Sequence, residues 1–201
     1  MNPAIGYRLW RVDPADAWTG NQLESLVSQT LWPFRDRLEA ACETRLAPAK
    51  FRPRRAHPVD VHSAPEAECT CGVYAYHDVD AMLRHVEEMR QFIDHRQRIL
   101  VAGAVLCWGR LVIHPERFRA QFARVAAISL PEPEPSTAWT HQHLREVARA
   151  YAIPPLDLKH LVPYAREFGS AFKPDPSELR QRSRLGRMIP DWVGRLRQAF
   201  G

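Results

Sequence analysis

I-L-V-A-G-A-V-L-C-W-G-R-L-V-I, residues 99–113, is the most apolar run of the 201-residue chain, and the rest is read outward from it. It is rich in branched side chains and interrupted by Gly103 and Gly109. Strands buried on both faces read as continuous apolar runs, and glycine inside one marks a bend. The run therefore predicts a central buried strand bent at a glycine. Downstream, F-R-A-Q-F-A-R-V-A-A-I-S-L (118–130) is placed to pair back on it after a turn at His114-Pro115-Glu116. The following P-E-P-E-P-S (131–136) alternates proline with glutamate, which suits an extended linker. Beyond it two helices are expected. One lies over 141–153 and is stopped by Pro154-Pro155; the other lies over 157–169, interrupted at Pro163 and ended by Gly169.

Upstream, apolar residues recur at Met82, Val86, Met89 and Ile93 behind a capping Asp78 or Asp80, predicting a helix to about His95. V-Y-A-Y (73–76) reads as a short strand, G-Y-R-L-W-R-V (6–12) as a longer one, and Q-L-E-S-L-V-S-Q-T (22–30) as another. Residues 43–68 hold four prolines and several charges and predict an irregular loop. The fold class expected is α+β. A zinc-pinned, mainly antiparallel β body over 1–130 is followed by the 131–136 linker and a helical extension over 137–201.

Apolar residues make up 45% and charged residues 25%, ordinary globular composition that argues against extensive disorder. No stretch reaches the roughly 18 apolar residues of a membrane helix, and M-N-P-A-I-G-Y-R-L-W lacks a signal peptide's charged start and apolar run. A cytoplasmic location is the expectation. The net charge of +5 is unevenly spread: 17 basic and 17 acidic residues occupy 1–136, and 11 basic against 6 acidic occupy 137–201. The basicity therefore belongs to the C-terminal part, and the high isoelectric point says nothing about polyanion binding by the body.

In a reducing compartment clustered cysteines point to metal rather than disulfides. Cys42, Cys69 and Cys71 form the pattern C-x19-H-x6-C-x-C-G with His62, and Gly72 follows at once. A structural zinc takes four tetrahedral thiolate and imidazole ligands, and a C-x-C pair supplies two from one turn. A long loop poor in apolar residues cannot order itself by burial, and a metal clip across its ends replaces the missing core. On residues alone, His57 competes with His62 for the fourth place, and Cys107, inside the apolar run, reads as a core thiol.

The string H-S-A-P-E-A-E-C-T-C-G-V-Y-A (62–75), with G-Y-R-L-W-R (6–11) before it and V-A-G-A-V-L-C-W-G-R-L-V-I-H (101–114) after it, resembles a family of uncharacterised, largely actinobacterial proteins. These carry an H-x-A-P-x-x-x-C-x-C-G-[IV]-Y-A signature and a later W-G-x-V-x-x-H with an aromatic–arginine pair, here Phe118-Arg119. The resemblance covers about residues 6–125. It implies His62 rather than His57 as ligand and adds Cys42 as a match; it implies no activity.

Other chemistry is thin. His114 follows a strand beside Arg110, Glu116 and Arg119 and is the one weak candidate for a general base; a turn histidine bonded to backbone is the plainer reading. His141 and His143, two apart on a helix, face different directions. No phosphate loop, nucleophile elbow or H-E-x-x-H occurs. Trp10, Trp32 and Trp108 read as core. L-R-E-V-A-R-A-Y-A-I-P-P-L-D-L-K-H-L (144–161) has a loose likeness to a helix-turn-helix, but its second helix offers only Lys159 as a base.

At the C-terminus Met188, Ile189, Trp192, Val193, Leu196 and Phe200 follow helical spacing beside Arg184, Arg187, Arg195 and Arg197. That pattern suits a protein groove or nucleic acid ahead of a membrane surface, unless the apolar face packs on the body itself. The reading adopted is a non-enzymatic, zinc-stabilised adaptor. Its ligands are Cys42, His62, Cys69 and Cys71, and its partner-binding residues are Arg184, Arg187, Trp192, Arg195, Leu196 and Arg197. The alternative is a hydrolase-type enzyme with its site near the zinc or His114.

Overall fold

The computed structural model describes residues 2–16, 18–42, 62–89 and 98–171. Within them the content is mixed but mostly strand, with three α-helices. The apolar run is one strand over its whole length, β5 (Ile99–Ile113). It turns at 114–116, where the His114 amide donates to Arg117 O at 2.8 Å, and returns as β6 (Arg117–Leu130). The expected bend is present. Register shifts fall between Ala104 and Val105 and between Trp108 and Leu111, and Gly109 in the second has φ +80°, a conformation costly for any residue with a Cβ.

β1 (Ala4–Val12) pairs antiparallel along the other edge of β5 through all nine of its residues. β4 (Val73–Tyr76) pairs with β6 over four residues and touches β1 at Tyr7–Tyr76, so β1, β5, β6 and β4 close a ring of bonded neighbours. Both faces of the curled sheet are covered. One carries Trp10, Val12, Val101, Val105, Cys107 and Phe118, with Trp32 edge-on to Trp10 at 5.3 Å. The other carries Ile5, Tyr7, Leu9, Ala104 and Ala127.

Helix α1 (Val79–Met89) covers the second face through Met82; the residues expected to extend it to His95 lie outside those described. Helix α2 (Ala138–Tyr151) closes the first face with Leu144, Val147, Ala148 and Tyr151. The Tyr151 hydroxyl donates to Trp32 O at 2.8 Å and accepts from the Leu23 amide at 2.9 Å, satisfying two buried backbone groups. Helix α3 (Leu158–Phe168) lays Leu161 and Ala165 on the second face. Residues 131–136 join β6 to α2, and within the part of the expected extension that is described, α2 and α3 bury apolar surface that the sheet leaves open.

Two further expectations need correction, and the disfavoured helix-turn-helix likeness can be tested directly. Residues 22–30 yield only a two-residue strand at Glu24–Ser25 (β2), because the chain turns back through Gln29 at φ +53°. Pro163 does not interrupt α3, which runs through it. Between α2 and α3 lies a strand (Pro155–Asp157) paired parallel with β6, so the likeness to a helix-turn-helix fails. The remaining strands, Leu38–Glu39 (β3) and Ser170–Ala171, are two residues each.

Candidate metal centre

β3 and β4 lie on the same edge of β6, end to end. Leu38 and Glu39 pair with Ala123 and Phe122, the Ala40 amide donates to Gln121 O at 2.8 Å, and Val73 resumes at Ala120. The chain therefore leaves one line of the sheet after Ala40 and re-enters it at Val73. At the neck of that excursion Cys42, leaving, meets Cys69 and Cys71, returning. His62 joins them from the returning segment.

The ligand atoms of Cys42, His62, Cys69 and Cys71 all lie within 4.8 Å of one another, close enough to hold a metal ion. Cys42 Sγ is 3.7 Å from Cys69 Sγ, and His62 Nε2 is 3.4 Å from Cys71 Sγ. A disulfide needs about 2.05 Å, so the sulfurs are neighbours rather than bonded partners. Cys42 and Cys71 are buried and Ala64 packs against them. Burial pushes the Cys71 thiol up to about 12; a backbone hydrogen bond from Glu66 opposes this, and the thiols of Cys69 and Cys42 reinforce it. The buried Cys71 thiol therefore resists ionisation, and a cation beside the sulfur reverses that preference.

The backbone turns that present the ligands are tight. The Cys69 amide donates to Glu66 O at 3.1 Å. Gly72 sits at φ +124°, where a Cβ would lie 2.9 Å from the Cβ atoms of both Arg119 and Pro65, so the position after C-x-C accepts only glycine without rearrangement. Beneath this segment runs Arg119 of β6, 2% exposed. Its Nη1 donates to the carbonyls of Glu66 (3.2 Å), Cys71 (2.9 Å) and Cys69, its Nη2 to Ala67 O at 3.4 Å, and its Nε to His114 Nε2 at 3.2 Å. On the outer side Arg110 Nη1 reaches Ser63 O and Glu66 Oε2, each at 3.3 Å.

The other sequence candidates are placed as follows. His114 stands at the β5–β6 turn, and the nitrogen that Arg119 Nε addresses must be its unprotonated one, since a guanidinium only donates. Its own backbone carbonyl contacts His77 Nε2 at 2.7 Å. Cys107 is fully buried in β5, outside the cluster, and burial pushes its thiol up to about 12. Trp10 and Trp32 are core, whereas Trp108 is half-buried and stacks on Phe122 at 5.9 Å. His143 contacts Gly20 O at 2.8 Å. His57 and the tail residues Arg184, Arg187, Trp192, Arg195, Leu196 and Arg197 lie outside the described residues. Sequence reasoning missed Arg119 as a clamp. Its signal was an arginine flanked by Phe118 and Ala120 in a strand that meets the C-x-C segment.

No protein-family model, no curated protein and no solved structure matches this chain. No helix among the described residues is long and apolar enough to cross a membrane.

Proposed function

We propose that the chain is a non-enzymatic, zinc-stabilised binding module that contacts a protein or nucleic-acid partner through its helical, basic C-terminal part. The observation that carries the reading is the four-donor cluster of Cys42, His62, Cys69 and Cys71 at the neck of the excursion. Structural zinc sites are closed by four protein ligands, whereas catalytic ones keep a position for water. With Zn–S about 2.3 Å and Zn–N about 2.0–2.1 Å, a tetrahedron has edges of about 3.8 Å between thiolates and about 3.6 Å between thiolate and imidazole. The 3.7 Å and 3.4 Å separations here are close to those edges. Three thiolates and one imidazole are also a soft donor set that suits zinc over calcium or magnesium.

The partner half of the proposal is supported by charge and periodicity. Residues 1–136 are neutral, so the whole +5 lies beyond them, beside the apolar series that includes Trp192 and Leu196. Polyanions and acidic protein grooves are the partners such a segment fits.

X-ray absorption at the zinc edge of the full chain tests the reading. The expected sphere is three sulfurs and one nitrogen with no light-atom water ligand. Three protein ligands plus oxygen would instead favour the hydrolase-type enzyme with its site near the metal or His114.

A further inference from the structure

Arg119 is a cation sealed inside the protein, and no carboxylate among the described residues answers it. It is 2% exposed, and its five hydrogen bonds go to four backbone carbonyls and one imidazole. Among the described residues no carboxylate pairs with it: Glu66, which it reaches only through the main chain, gives its side chain to Arg110. A buried charge without a counter-charge is strongly unfavourable, and carbonyl dipoles satisfy its donors without cancelling its charge. Two of the carbonyls it binds belong to Cys69 and Cys71, so the guanidinium lies directly behind the metal ligands.

A loaded centre would place a negative charge beside the guanidinium. A divalent cation with three thiolates and a neutral imidazole carries a net charge of −1. We infer that Arg119 is the resident counter-cation of this centre. It balances the anionic metal–thiolate unit and positions the C-x-C segment, and it couples metal loading to the burial of its own charge. The inference rests on the metal reading above. It assigns Arg119 as a positioning residue rather than a ligand, and it assigns the centre a divalent ion with all three cysteines as thiolates. Outer-shell partners of metal ligands typically contribute 10–100-fold to affinity, and the guanidinium that would play this part is itself 2% exposed.

The test is zinc affinity by chelator competition on the full chain as wild type, Arg119→Met and Arg119→Lys. Absorption of the cobalt(II)-loaded forms reports whether the three-thiolate ligand set is intact. Arg119→Met is expected to bind zinc about 10–100-fold more weakly with the cobalt charge-transfer bands retained, because the ligands stay while the counter-charge goes. Arg119→Lys keeps the charge while losing most of the donors, and should recover most of the affinity. If Arg119→Met does not fold, the lysine variant decides alone: affinity within about threefold of wild type supports the counter-cation, and a tenfold loss overturns it. Equal weakness of the two variants, or wild-type affinity in Arg119→Met, also overturns it. A wild-type protein that binds neither zinc nor cobalt defeats the metal reading itself, a result distinguishable from all of these.

Discussion

The β5–β6 hairpin and the cysteine-rich excursion are ordered by opposite means. The hairpin holds Val101, Ala104, Val105, Cys107, Ala120, Ala123, Ala127 and Ile128 at 0% exposure, and removing that surface from water is enough to fix it. The segment from Ser63 to Gly72 buries little beyond Ala64, Pro65 and Cys71. Its shape comes from directional contacts: four carbonyls on one arginine, a turn closed by Cys69 on Glu66, and the four-donor cluster. A region built by burial degrades gradually as atoms are deleted. One built around a single point should fail when that point is removed. The two therefore differ less in how well they are held than in how many independent changes each can tolerate.

If the cluster holds zinc as proposed, the largest effect should come from removing the ion. Metal binding to such sites is folding energy, and a loss of several kcal/mol corresponds to a drop of more than about 10 °C in Tm for a chain of this size. A strong chelator, or Cys69→Ser or Cys71→Ser, should produce that drop, whereas Cys107→Ala should cost only about 1 kcal/mol as a small core deletion. Hydrogen exchange sharpens the contrast: after chelation, amides of 64–72 should exchange fast while those of 101–105 and 123–128 stay protected. An unchanged Tm in chelator would mean that the excursion is held by packing, like the hairpin.

Next in size is the converse perturbation. Trp10→Ala removes a fully buried indole that meets Trp32 edge-on, and should cost about 3–5 kcal/mol through the cavity it leaves. Zinc stoichiometry should stay at about one per folded chain, because the neck is anchored to β6 rather than to the indoles. Loss of metal in the folded variant would show that core and centre are one cooperative unit.

The same contrast explains what could be read from sequence. β5 and β4 were legible to the residue, since branched apolar side chains bounded by turn residues leave little choice. The three cysteines were legible by type and spacing as candidate donors, whereas His62 was preferred to His57 only through the family resemblance. Their meeting at a neck was not legible, because it depends on Leu38–Glu39 and Val73–Tyr76 sharing one edge of β6, a pairing across more than forty residues with no local periodicity. Arg119 was noted as a neighbour of His114 and as half of the Phe118-Arg119 pair, but not as a clamp, since its flanking residues do not say which carbonyls a buried arginine will meet. The packing of α2 was obscured by P-E-P-E-P-S, which breaks secondary structure but says nothing about whether the helix beyond folds back.

The smallest expected effect on stability belongs to the C-terminal tail. Deleting residues 180–201 removes six arginines and one aspartate and takes the formal net charge from +5 to 0. Among the described residues, α2 and α3 cover the sheet with Leu144, Tyr151, Leu161 and Ala165. Surface changes away from a core stay within about 0.5 kcal/mol, so Tm should move by no more than about 2 °C. Partner binding should be lost at the same time. If the partner is nucleic acid, the binding lost should have fallen steeply with salt, because each neutralised phosphate releases counterions. If it is a protein groove, Trp192→Ala and Leu196→Ala should reproduce the deletion while salt matters less. A fall in Tm well beyond 2 °C would place the tail's apolar face in the fold, and the burial-built region would be larger than the described residues show. An intact melt with undiminished binding would remove the tail as the docking element and leave the cysteine-rich excursion as the surface to test.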